Sequence, residues 1–388
     1  MMNYTKPKLI RTATVSVSLD VLLRGQLAFL STYFDVCAVS GYDSHLKIVQ
    51  QREGVFIKDV PIQRNISPMK DVLSLWRLYL LFRREKPLIV HSITPKAGLL
   101  SMSAAYLARV PIRIHTFTGL VFPSKKGLLQ RLLILMDKIL CACATNVIPE
   151  GTGVKNDLIK YKITKKKLEV LGNGNVNGID TTYFSRQAVA LGDIVELKGK
   201  HRFTSCNFIF IFVGRLVRDK GVNELITAFC RLVDKCQSAR LLLVGPYESD
   251  LDPLLPKTLE LIRNSDAIIT TGYKVDVRPY FAISDALVFP SHREGFPNVV
   301  IQAGAMELPC IVTDINGCNE IIQEGKNGTI IPPKDTSAIQ KAMERMIDDV
   351  AWRNEMQRHS RAMIKDRYDQ TIVWQSLLEE YKKLVSHV

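Results

Sequence analysis

The sequence has few of the features that mark metal sites, secretory signals or membrane spans. Its eight cysteines are scattered, and only Cys141 and Cys143 stand close together. No Cys-x-x-Cys pair or Cys/His ligand spacing occurs, so we expect reduced thiols, a cytosolic protein and no structural zinc. The first residues lack a long apolar segment with a small-residue cleavage site, and no apolar run is long enough to span a bilayer. We therefore expect neither a cleaved signal peptide nor a membrane-spanning helix.

What the chain does contain is a globular composition with an uneven charge. Of the 388 residues, 47% are hydrophobic and 23% are charged, which argues against extensive disorder. The net charge is +14, and residues 1–180 contain 26 Lys and Arg against 12 Asp and Glu, whereas the remaining residues contain 26 of each. This one-sided basic charge indicates an anionic partner such as nucleic acid, an anionic membrane or phosphate groups. The alternative is a soluble basic domain without such a partner.

The length and the pattern of the chain predict two α/β domains, because 388 residues exceed one ordinary core. In both halves, strand-like runs alternate with helical periodicity, which is typical of doubly wound parallel sheets. We predict an N-terminal domain over 1–185, a linker over 186–206, a second domain over 207–365 and a C-terminal helix over 366–388. The predicted strand segments are LIRTATVSVS, DVCAVSG, VFIKDVPI, PLIVHSIT, IRIHTFTG, TNVIPEG, LEVLGNG, FIFIFVG, RLLLVGP, AIITTGY, ALVFPS, CIVTD and GTIIPP.

The first candidate site is the loop VGRLVRDKG, residues 213–221, after the first strand of the second half. Gly214 frees the backbone beyond the strand, Arg215 offers a rigid fork of donors, and Lys220 offers a compact charge. A helix is predicted to begin at Val222, with its first amides directed at the loop. Two cations and a helix N-terminus favour a diphosphate ligand. The alternative is a solvated basic turn.

The second candidate site is SHREGFPNVVIQAG, residues 291–304, after the strand ALVFP. Glu294 is predicted at the strand end, where its carboxylate can accept from hydroxyls or stabilise developing positive charge. Gly295 allows close backbone approach, and Pro297 suits the first helical turn. A carboxylate that only caps the helix is the alternative, but it does not explain the glycine and the proline. The backbone amides predicted to bind an anion or sugar hydroxyls are those of Phe296, Asn298 and Val299.

Together these motifs resemble the family 4 retaining glycosyltransferases of the GT-B fold. The pattern S-x-x-E-G-F-P-x-x-x-x-[E/Q] is preceded by V-G-R-L-x-x-x-K-G. The segment NGNVNGID, residues 173–180, is similar to the Asn-Gly-Val-Asp interdomain segment of that family, and residues 316–333 are similar to its Gly-x-x-Glu and Asn-Gly turns. The resemblance extends over nearly the whole chain. It implies two Rossmann-like domains that face a central cleft and a C-terminal helix that crosses back to the first domain.

For the second domain the resemblance implies a nucleotide-sugar site. Arg215 and Lys220, beside Gly214, would hold the diphosphate, and Glu294 would bind the transferred sugar. The family's second glutamate, which holds the ribose hydroxyls, falls on Gln302, an amide that can accept and donate but carries no charge. The remaining residues implied to bind the donor are Tyr273 and Lys274 near the nucleobase, and Gly295, Phe296, Pro297, Asn298 and Val299 through their backbone.

For the first domain the resemblance implies a second set of residues. His115, in the segment HTFTGL, aligns with a histidine that contacts the donor sugar in the family, although a structural histidine at a strand end is the alternative. Gly25, in the loop LRGQL, would approach the diphosphate. The lysine of TPKAG would lie at a helix N-terminus, which is a further anion site. The residues implied to bind the acceptor are Gln26, Lys96, Thr118 and Gly119.

The elements TPKAG and HTFTG are similar to those of the bacterial subgroup that extends undecaprenyl-diphosphate-linked saccharides for capsule, O-antigen or protein glycosylation. Such an acceptor lies at an anionic bilayer surface, where each nearby Lys or Arg contributes about 1 kcal/mol of attraction. The basic half therefore predicts peripheral association with the cytoplasmic face of the inner membrane. The helix predicted over 122–140, flanked by Lys125, Lys126 and Arg131, is compatible with interfacial docking. Core packing is nevertheless the expectation for Leu132, Leu135 and Ile139.

The resemblance implies retaining transfer of a hexose or N-acetylhexosamine from a UDP-sugar to the lipid-linked saccharide, with no metal and no other cofactor. Arg215 and Lys220 can supply the charge that a metal would otherwise supply. Stabilisation of the departing diphosphate is then the main catalytic contribution. No nucleophile is predicted opposite Glu294, which favours a same-face route in which the leaving diphosphate helps to deprotonate the acceptor.

Three alternatives keep parts of this interpretation. A UDP-sugar 2-epimerase has the same architecture but needs acid and base carboxylates and histidines in the first domain. A non-catalytic membrane-associated subunit of a polysaccharide assembly would explain Gln302 as decay, although Arg215, Lys220 and Glu294 are intact. Nucleic-acid binding explains the charge but not the Glu-Gly-Phe-Pro segment, and the interleaved aromatic and basic residues of RNA-binding proteins are missing.

Overall fold

The computed structural model describes residues 6–63, 67–248, 250 and 252–388. They divide into two compact units. Unit 1 contains the described residues up to Gly178 together with Thr371–Val388, and unit 2 contains Ile179–Gln370. The chain therefore builds most of unit 1, then all of unit 2, and returns to unit 1 for its last helix. The two crossings lie after Gly178 and after Gln370, whereas the predicted boundaries follow residues 185 and 365.

Unit 1 is built on a parallel six-stranded sheet with the strand order β3-β2-β1-β4-β5-β6. Helices cover both faces, so the central strands are apolar along their length; all five residues of β4 are buried. The strands are β1 (Lys8–Thr12), β2 (Asp35–Ser40), β3 (Phe56–Asp59), β4 (Ile89–Ile93), β5 (Ile112–Phe117) and β6 (Asn146–Pro149).

Proline marks the start of two helices of unit 1. Pro68 and Pro95 occupy the first positions of α4 and α5, where no amide donor is lost. Small residues allow α5 to lie close to the sheet between α4 and α6. The helices are α1 (Ser16–Leu22), α2 (Gln26–Ser31), α3 (Ser44–Glu53), α4 (Pro68–Glu85), α5 (Pro95–Leu107), α6 (Gly127–Cys143) and α7 (Thr152–Lys160).

Unit 2 repeats the same topology, with the strand order β12-β11-β10-β7-β8-β9. Its strands are β7 (Phe208–Val213), β8 (Ala239–Val244), β9 (Ile268–Gly272), β10 (Ala286–Phe289), β11 (Cys310–Thr313) and β12 (Gly328–Ile331). Its helices are α8 (Leu191–Lys200), α9 (Val222–Val233), α10 (Pro256–Arg263), α11 (Arg278–Ala282), α12 (Asn298–Ala305), α13 (Cys318–Ile321), α14 (Thr336–Asp348) and α15 (Val350–Tyr368). The prediction of two doubly wound parallel α/β domains is confirmed.

The last helix, α16 (Gln370–Val385), is tied to the sheet of unit 1 by a buried polar network. The Tyr381 hydroxyl accepts from Arg11 Nη1 at 2.8 Å and lies 2.5 Å from His91 Nδ1. Tyr381 and Leu378 are among the buried residues of the adjoining core. Burial, together with the neighbouring Arg11 and His115, holds the pKa of His91 well below its usual range, so this histidine is neutral.

Three sequence predictions of local structure were wrong. Residues 168–174 form no strand, because Gly172 and Gly174 adopt positive φ values that interrupt an extended run. The segment TVSVSL, which alternates like a strand, instead leads into α1. Residues 186–206, predicted as a linker, contain α8, and Leu197 and Phe203 belong to the core of unit 2. In the last two cases tertiary packing overrides a short and ambiguous pattern.

Both sheets reverse their strand order at one point, between β1 and β4 in unit 1 and between β7 and β10 in unit 2. In open parallel sheets, ligands bind beyond the carboxyl ends of the strands at such a switch point. The connections that follow these four strands are therefore the places where binding residues are expected.

Candidate functional site

In unit 2, the loops that follow β7 and β10 are packed tightly against each other by one glycine. Gly221 has a φ of +70°, and a Cβ added there would lie 2.0 Å from the carbonyl oxygen of Pro290. The His292 amide donates to the Asp219 carbonyl at 2.9 Å, and His292 Nε2 lies 3.3 Å from Glu224 Oε1. That interaction lowers the pKa of Glu224. The two motifs found in the sequence therefore form one structural element.

A half-buried ion pair occupies the centre of this element. Lys220 Nζ donates to Glu294 Oε1, with 18% and 15% of the two side chains exposed. The Ser291 hydroxyl donates to the same carboxylate oxygen at 2.7 Å, and Lys220 Nζ lies 5.5 Å from the centre of the Phe289 ring. Lys220 and Glu294 lie in the loops that follow β7 and β10, which are neighbouring strands at the switch point. The structure thus places a cation and an anion side by side where a ligand is expected.

Arg215 also follows the carboxyl end of β7, but its side chain is more exposed to solvent than that of Lys220. Its Nη1 donates to Glu248, and 53% of the Arg215 side chain is exposed. The backbone beneath it is closely packed, because a Cβ at Gly245 would lie 1.9 Å from the Gly214 carbonyl oxygen. Both cations predicted to bind a diphosphate are therefore paired with carboxylates.

The segment from Gly295 to Pro297 is held in place by the loop that follows β11. A Cβ at Gly317 would lie 2.5 Å from the Gly295 carbonyl oxygen and 2.7 Å from Pro297 Cδ. Pro297 is the residue before α12, which begins at Asn298 rather than at the proline. The Phe296 side chain is buried and packs against Tyr368, with ring centres 5.5 Å apart.

Gln302 is half-buried on α12, one turn beyond Asn298. Two residues that the resemblance places near the nucleobase, Tyr273 and Lys274, follow β9 at the outer edge of the sheet. The Tyr273 side chain is 72% exposed, and Lys274 Nζ lies 6.0 Å from the centre of the Tyr280 ring. Two strands separate β9 from β10. The structure therefore does not group Tyr273 and Lys274 directly with Glu294.

In unit 1, the switch point between β1 and β4 is built around two threonines. The hydroxyls of Thr14 and Thr94 lie 2.8 Å apart, and the Thr14 amide donates to Thr94 Oγ1 at 3.0 Å. The Ala97 amide in the first turn of α5 donates to Thr14 Oγ1 at 3.1 Å. Thr94 has a φ of +71°, a strained conformation for a β-branched residue that costs about 1–3 kcal/mol. Such strain is common at binding sites.

Lys96 lies in the first turn of α5, as predicted, and its Nζ is 2.6 Å from Asp71 Oδ1 on α4. The pair borders a cavity of about 610 Å³, a volume within the range of about 300–1,000 Å³ that is usual for small-molecule pockets. The walls come from the β1 and β4 loops, the segment after β5, and the facing sides of α4, α5 and α6. Its apolar lining includes Leu99, Leu100, Phe117, Leu120, Phe122, Leu133 and Met136.

One carboxyl group also lines this cavity. Asp137 is half-buried on α6, and it lines the cavity beside apolar residues such as Leu133 and Met136. Burial raises the pKa of Asp137 to about 7, because a charge is costly in an apolar environment. Burial thus favours the uncharged form of the Asp137 carboxyl.

Both α4 and α6 carry several large apolar side chains that are exposed to solvent. Leu132, Leu135 and Ile139 are 42%, 53% and 44% exposed, so the expectation that they pack in the core was wrong. We call these residues, together with Leu128 and Leu129 of α6 and Val72, Leu73, Trp76 and Leu80 of α4, the apolar outer face; all are exposed. None of the described helices is both long and apolar enough to cross a bilayer.

His115 does not lie at the carboxyl end of β5. This corrects the prediction that His115 contacts the donor sugar there. The strand continues for two further residues to Phe117, and only 1% of His115 is exposed. Its ring packs beneath α5, where a Cβ at Gly98 would lie 2.4 Å from His115 Cε1, and Ser92 Oγ lies 2.8 Å from Nδ1. Burial lowers the pKa of His115 to about 3. His115 is thus a neutral core residue that cannot contact a ligand at the strand ends.

Gly25 and Gln26 are also placed by packing. Gly25 has a φ of +79°, and a Cβ there would lie 2.7 Å from the Trp374 ring. Gln26 is fully buried, and its amide donates to the Val176 carbonyl at 2.9 Å and to Asn177 Oδ1 at 3.2 Å. The Gln26 side chain therefore binds the segment that leaves unit 1 rather than the surface. Gly119, by contrast, lines the cavity, and Thr118 precedes it half-buried.

Sequence reasoning missed four side chains that complete these sites. The sequence could have indicated Ser291, because it stands three residues before Glu294 in the quoted motif. It could also have indicated Asp137, as the only acidic residue of the apolar run LLILMDKIL. Glu248 and Asp71 pair with Arg215 and Lys96 from distant parts of the chain, so no local pattern indicates them.

Comparison with known proteins agrees with this architecture. Residues 33–174, within unit 1, match the model of the glycosyl transferase 4-like domain. Residues 207–349, within unit 2, match the model described as glycosyl transferases group 1. The second match contains both Lys220 and Glu294.

Two relatives and one solved structure illustrate the similarity. The capsular polysaccharide biosynthesis glycosyltransferase CapM of Staphylococcus aureus is 35% identical over 96% of each chain. The Escherichia coli UDP-Gal:alpha-D-GlcNAc-diphosphoundecaprenol alpha-1,3-galactosyltransferase is 32% identical over 74% of this chain and 73% of its own. The crystal structure of Anabaena HepE with UDP and glucose superposes with a TM-score of 0.82 at 16% identity, over 97% of this chain and 100% of that one. The chain therefore belongs to the glycosyltransferases that combine a 4-like domain with a group 1 domain in the GT-B fold.

Proposed function

We propose that the protein transfers a hexose or N-acetylhexosamine from a UDP-sugar to an undecaprenyl-diphosphate-linked saccharide during assembly of a surface polysaccharide such as capsule or O-antigen. The observation that carries this proposal is the Lys220–Glu294 pair at the switch point of unit 2, immediately before α9 and α12. The names of the two relatives support it, since one acts in capsule synthesis and the other uses UDP-Gal and a diphosphoundecaprenol acceptor.

The donor diphosphate would bind to Lys220 and Arg215. Lys220 would then lie between the diphosphate and Glu294, so that one ammonium group contacts both the leaving group and the carboxylate that faces the sugar. The backbone of residues 295–299 would contact sugar and phosphate, and Gln302 would hold the ribose. Removal of one such donor to a developing anion typically lowers kcat by about 10²–10³.

The proposed reaction proceeds with retention at the anomeric carbon and without a metal. Glu294 is engaged by Lys220 and by the Ser291 hydroxyl, an arrangement that suits a stabilising carboxylate better than a free nucleophile. The leaving diphosphate would accept the proton of the attacking hydroxyl on the same face of the sugar. NMR of the product's anomeric proton, measured in the presence of a chelator, tests both statements. An inverted product or complete loss of activity with the chelator contradicts them.

The acceptor would bind to unit 1, with Lys96 and the segment Thr118–Gly119 near its diphosphate. Exposed cations accompany the apolar outer face, including Lys70 and Arg77 on α4 and Arg131 and Lys138 on α6. Apolar side chains beside cations favour docking to an anionic bilayer. We therefore propose peripheral association with the cytoplasmic face of the inner membrane.

The decisive experiment incubates the purified protein with a panel of UDP-sugars and an undecaprenyl-diphosphate saccharide, and identifies the product by mass. Arg215→Ala and Lys220→Ala should each lower turnover by about 10²-fold or more while thermal unfolding stays unchanged. Arg240→Ala, which removes a half-buried arginine of β8 that donates to the carbonyls of Gln237 and Ala239, is the control. Near-normal activity of Lys220→Ala would refute the role of the ion pair. Release of free sugar or an epimerised UDP-sugar, without transfer, would refute the proposed reaction.

A further inference from the structure

The cavity of unit 1 has walls that do not suit a saccharide. Four of its lining side chains, Leu100, Phe117, Leu120 and Phe122, are buried and apolar. A sugar carries several hydroxyls, and each hydroxyl that enters an apolar cavity without a partner loses its hydrogen bonds to water. The hydroxyls of Thr14 and Thr94 are already bonded to each other.

Apart from the hydroxyls of Thr14, Ser18 and Thr94, the polar side chains among the described lining residues are Asp137 and the pair between Lys96 and Asp71. This pair joins the first turns of α4 and α5, beside the loops of the switch point. Among the described residues of the lining, the other carboxyl is that of Asp137, and burial raises its pKa, which reduces its charge at neutral pH. The matching ligand is thus amphipathic, with a long apolar part and a single anionic end near Lys96.

The cavity is also bounded by helices that carry exposed apolar residues. Val72 of α4 belongs both to the cavity lining and to the apolar outer face, and its side chain is 67% exposed. Val121 lines the cavity and is 39% exposed. An apolar chain that leaves the cavity past Val72 therefore meets a residue of the apolar outer face, which is proposed to contact the bilayer.

From these observations we infer that the unit 1 cavity binds the isoprenoid units next to the diphosphate of the lipid carrier, with Lys96 beside the diphosphate. The inference rests on the proposed function, in which the acceptor is a polyprenyl diphosphate saccharide. It adds that the protein recognises the lipid itself, and not only the sugar and the diphosphate. A carrier with a straight, short alkyl chain would then be a poorer acceptor.

The test fills the cavity with a large side chain and compares acceptors. Leu99 is half-buried on α5 and lines the cavity, whereas Leu107 lies on the same helix two turns later and is 56% exposed. Leu99→Trp should raise the KM for the undecaprenyl-diphosphate saccharide about tenfold or more, since each buried methylene contributes measurably to binding. Leu107→Trp should leave it unchanged. When the acceptor carries the same saccharide diphosphate on a methyl group instead of the lipid, Leu99→Trp and wild type should have the same KM for it.

A second measurement separates this inference from the proposed function, because it requires no sugar transfer. Farnesyl diphosphate should bind the wild-type protein more tightly than inorganic diphosphate does, and Met136→Trp or Leu99→Trp should remove that difference. Met136 provides the second variant on α6 in case one substitution unfolds the protein, which thermal unfolding reveals. The inference would be overturned if farnesyl diphosphate and inorganic diphosphate bind the wild-type protein equally tightly. It would also be overturned if Leu99→Trp raises the KM equally for the methyl and the undecaprenyl acceptors. If farnesyl diphosphate binds as expected but no sugar is transferred, the proposed reaction fails while the lipid site stands.

Discussion

The half-buried carboxyl of Asp137 predicts a pH dependence of stability that Asp137→Asn should abolish. The pKa of this group is 3.8 in its ordinary state and about 7 in the folded protein. A group whose pKa is raised by folding stabilises the fold fully at pH values below its pKa in the unfolded chain. That contribution is lost as the pH rises through its pKa in the folded protein. Wild-type unit 1 should therefore become less stable between pH 4 and pH 7 at this site, and the asparagine variant should not.

The magnitude follows from the two pKa values. Linkage between them gives a loss of about 3 kcal/mol in the free energy of unfolding of wild type, relative to the variant, from pH 5 to pH 8.5. For a unit of this size, each kcal/mol shifts Tm by about 2–4 °C. The Tm of Asp137→Asn should thus exceed that of wild type at pH 8.5 by roughly 5–10 °C more than it does at pH 5.

The assay is thermal unfolding followed by circular dichroism at both pH values, with Glu379→Gln as the control. Glu379 is an exposed carboxylate on α16 in the same unit, so its removal should change Tm equally at pH 5 and pH 8.5. If the difference between Asp137→Asn and wild type is the same at both pH values, the carboxyl is not held in an apolar environment, and the description of the cavity wall is wrong.

Two further predictions concern the donor site and the membrane. Gln302→Glu should be tolerated, and Gln302→Ala should mainly raise the KM for the nucleotide sugar, because an amide and a carboxylate can both hold a ribose diol; an effect of Gln302→Ala on kcat alone would contradict this in steady-state assays. Leu128→Glu together with Leu135→Glu should reduce flotation with vesicles that contain phosphatidylglycerol by about tenfold or more, while transfer to a detergent-solubilised acceptor continues. Unchanged flotation would exclude the apolar outer face as the docking surface.

The two motifs of unit 2 illustrate how far local patterns reach. Residues 213–221 and 291–304 were placed correctly at the ends of β7 and β10, because buried apolar runs, glycines and a proline mark where strands end and helices begin. The direct ion pair between Lys220 and Glu294 was not predicted. It depends on β7 and β10 being neighbours in the sheet, and on Gly221 allowing the two loops to approach.

In unit 1 the same reasoning was less successful. His115 was assigned to the strand end, but β5 extends to Phe117 and the side chain faces α5. Strand ends are uncertain by a few residues in any pattern-based prediction, and a shift of one residue reverses the face on which a side chain lies. Gln26 was likewise predicted to bind the acceptor, whereas its side-chain amide donates hydrogen bonds to Val176 and Asn177.

The sequence by itself determined the two α/β domains, the loops that carry the cations and Glu294, and the family to which the chain belongs. These properties depend on residue types at short spacings, which the linear chain displays directly. Only the tertiary structure decided which charges are paired, that His115 is buried, and that α4, α5 and α6 enclose an apolar cavity beside Lys96. Such properties depend on contacts between residues distant in the chain, where burial changes both the accessibility of a side chain and the pKa of a carboxyl such as Asp137.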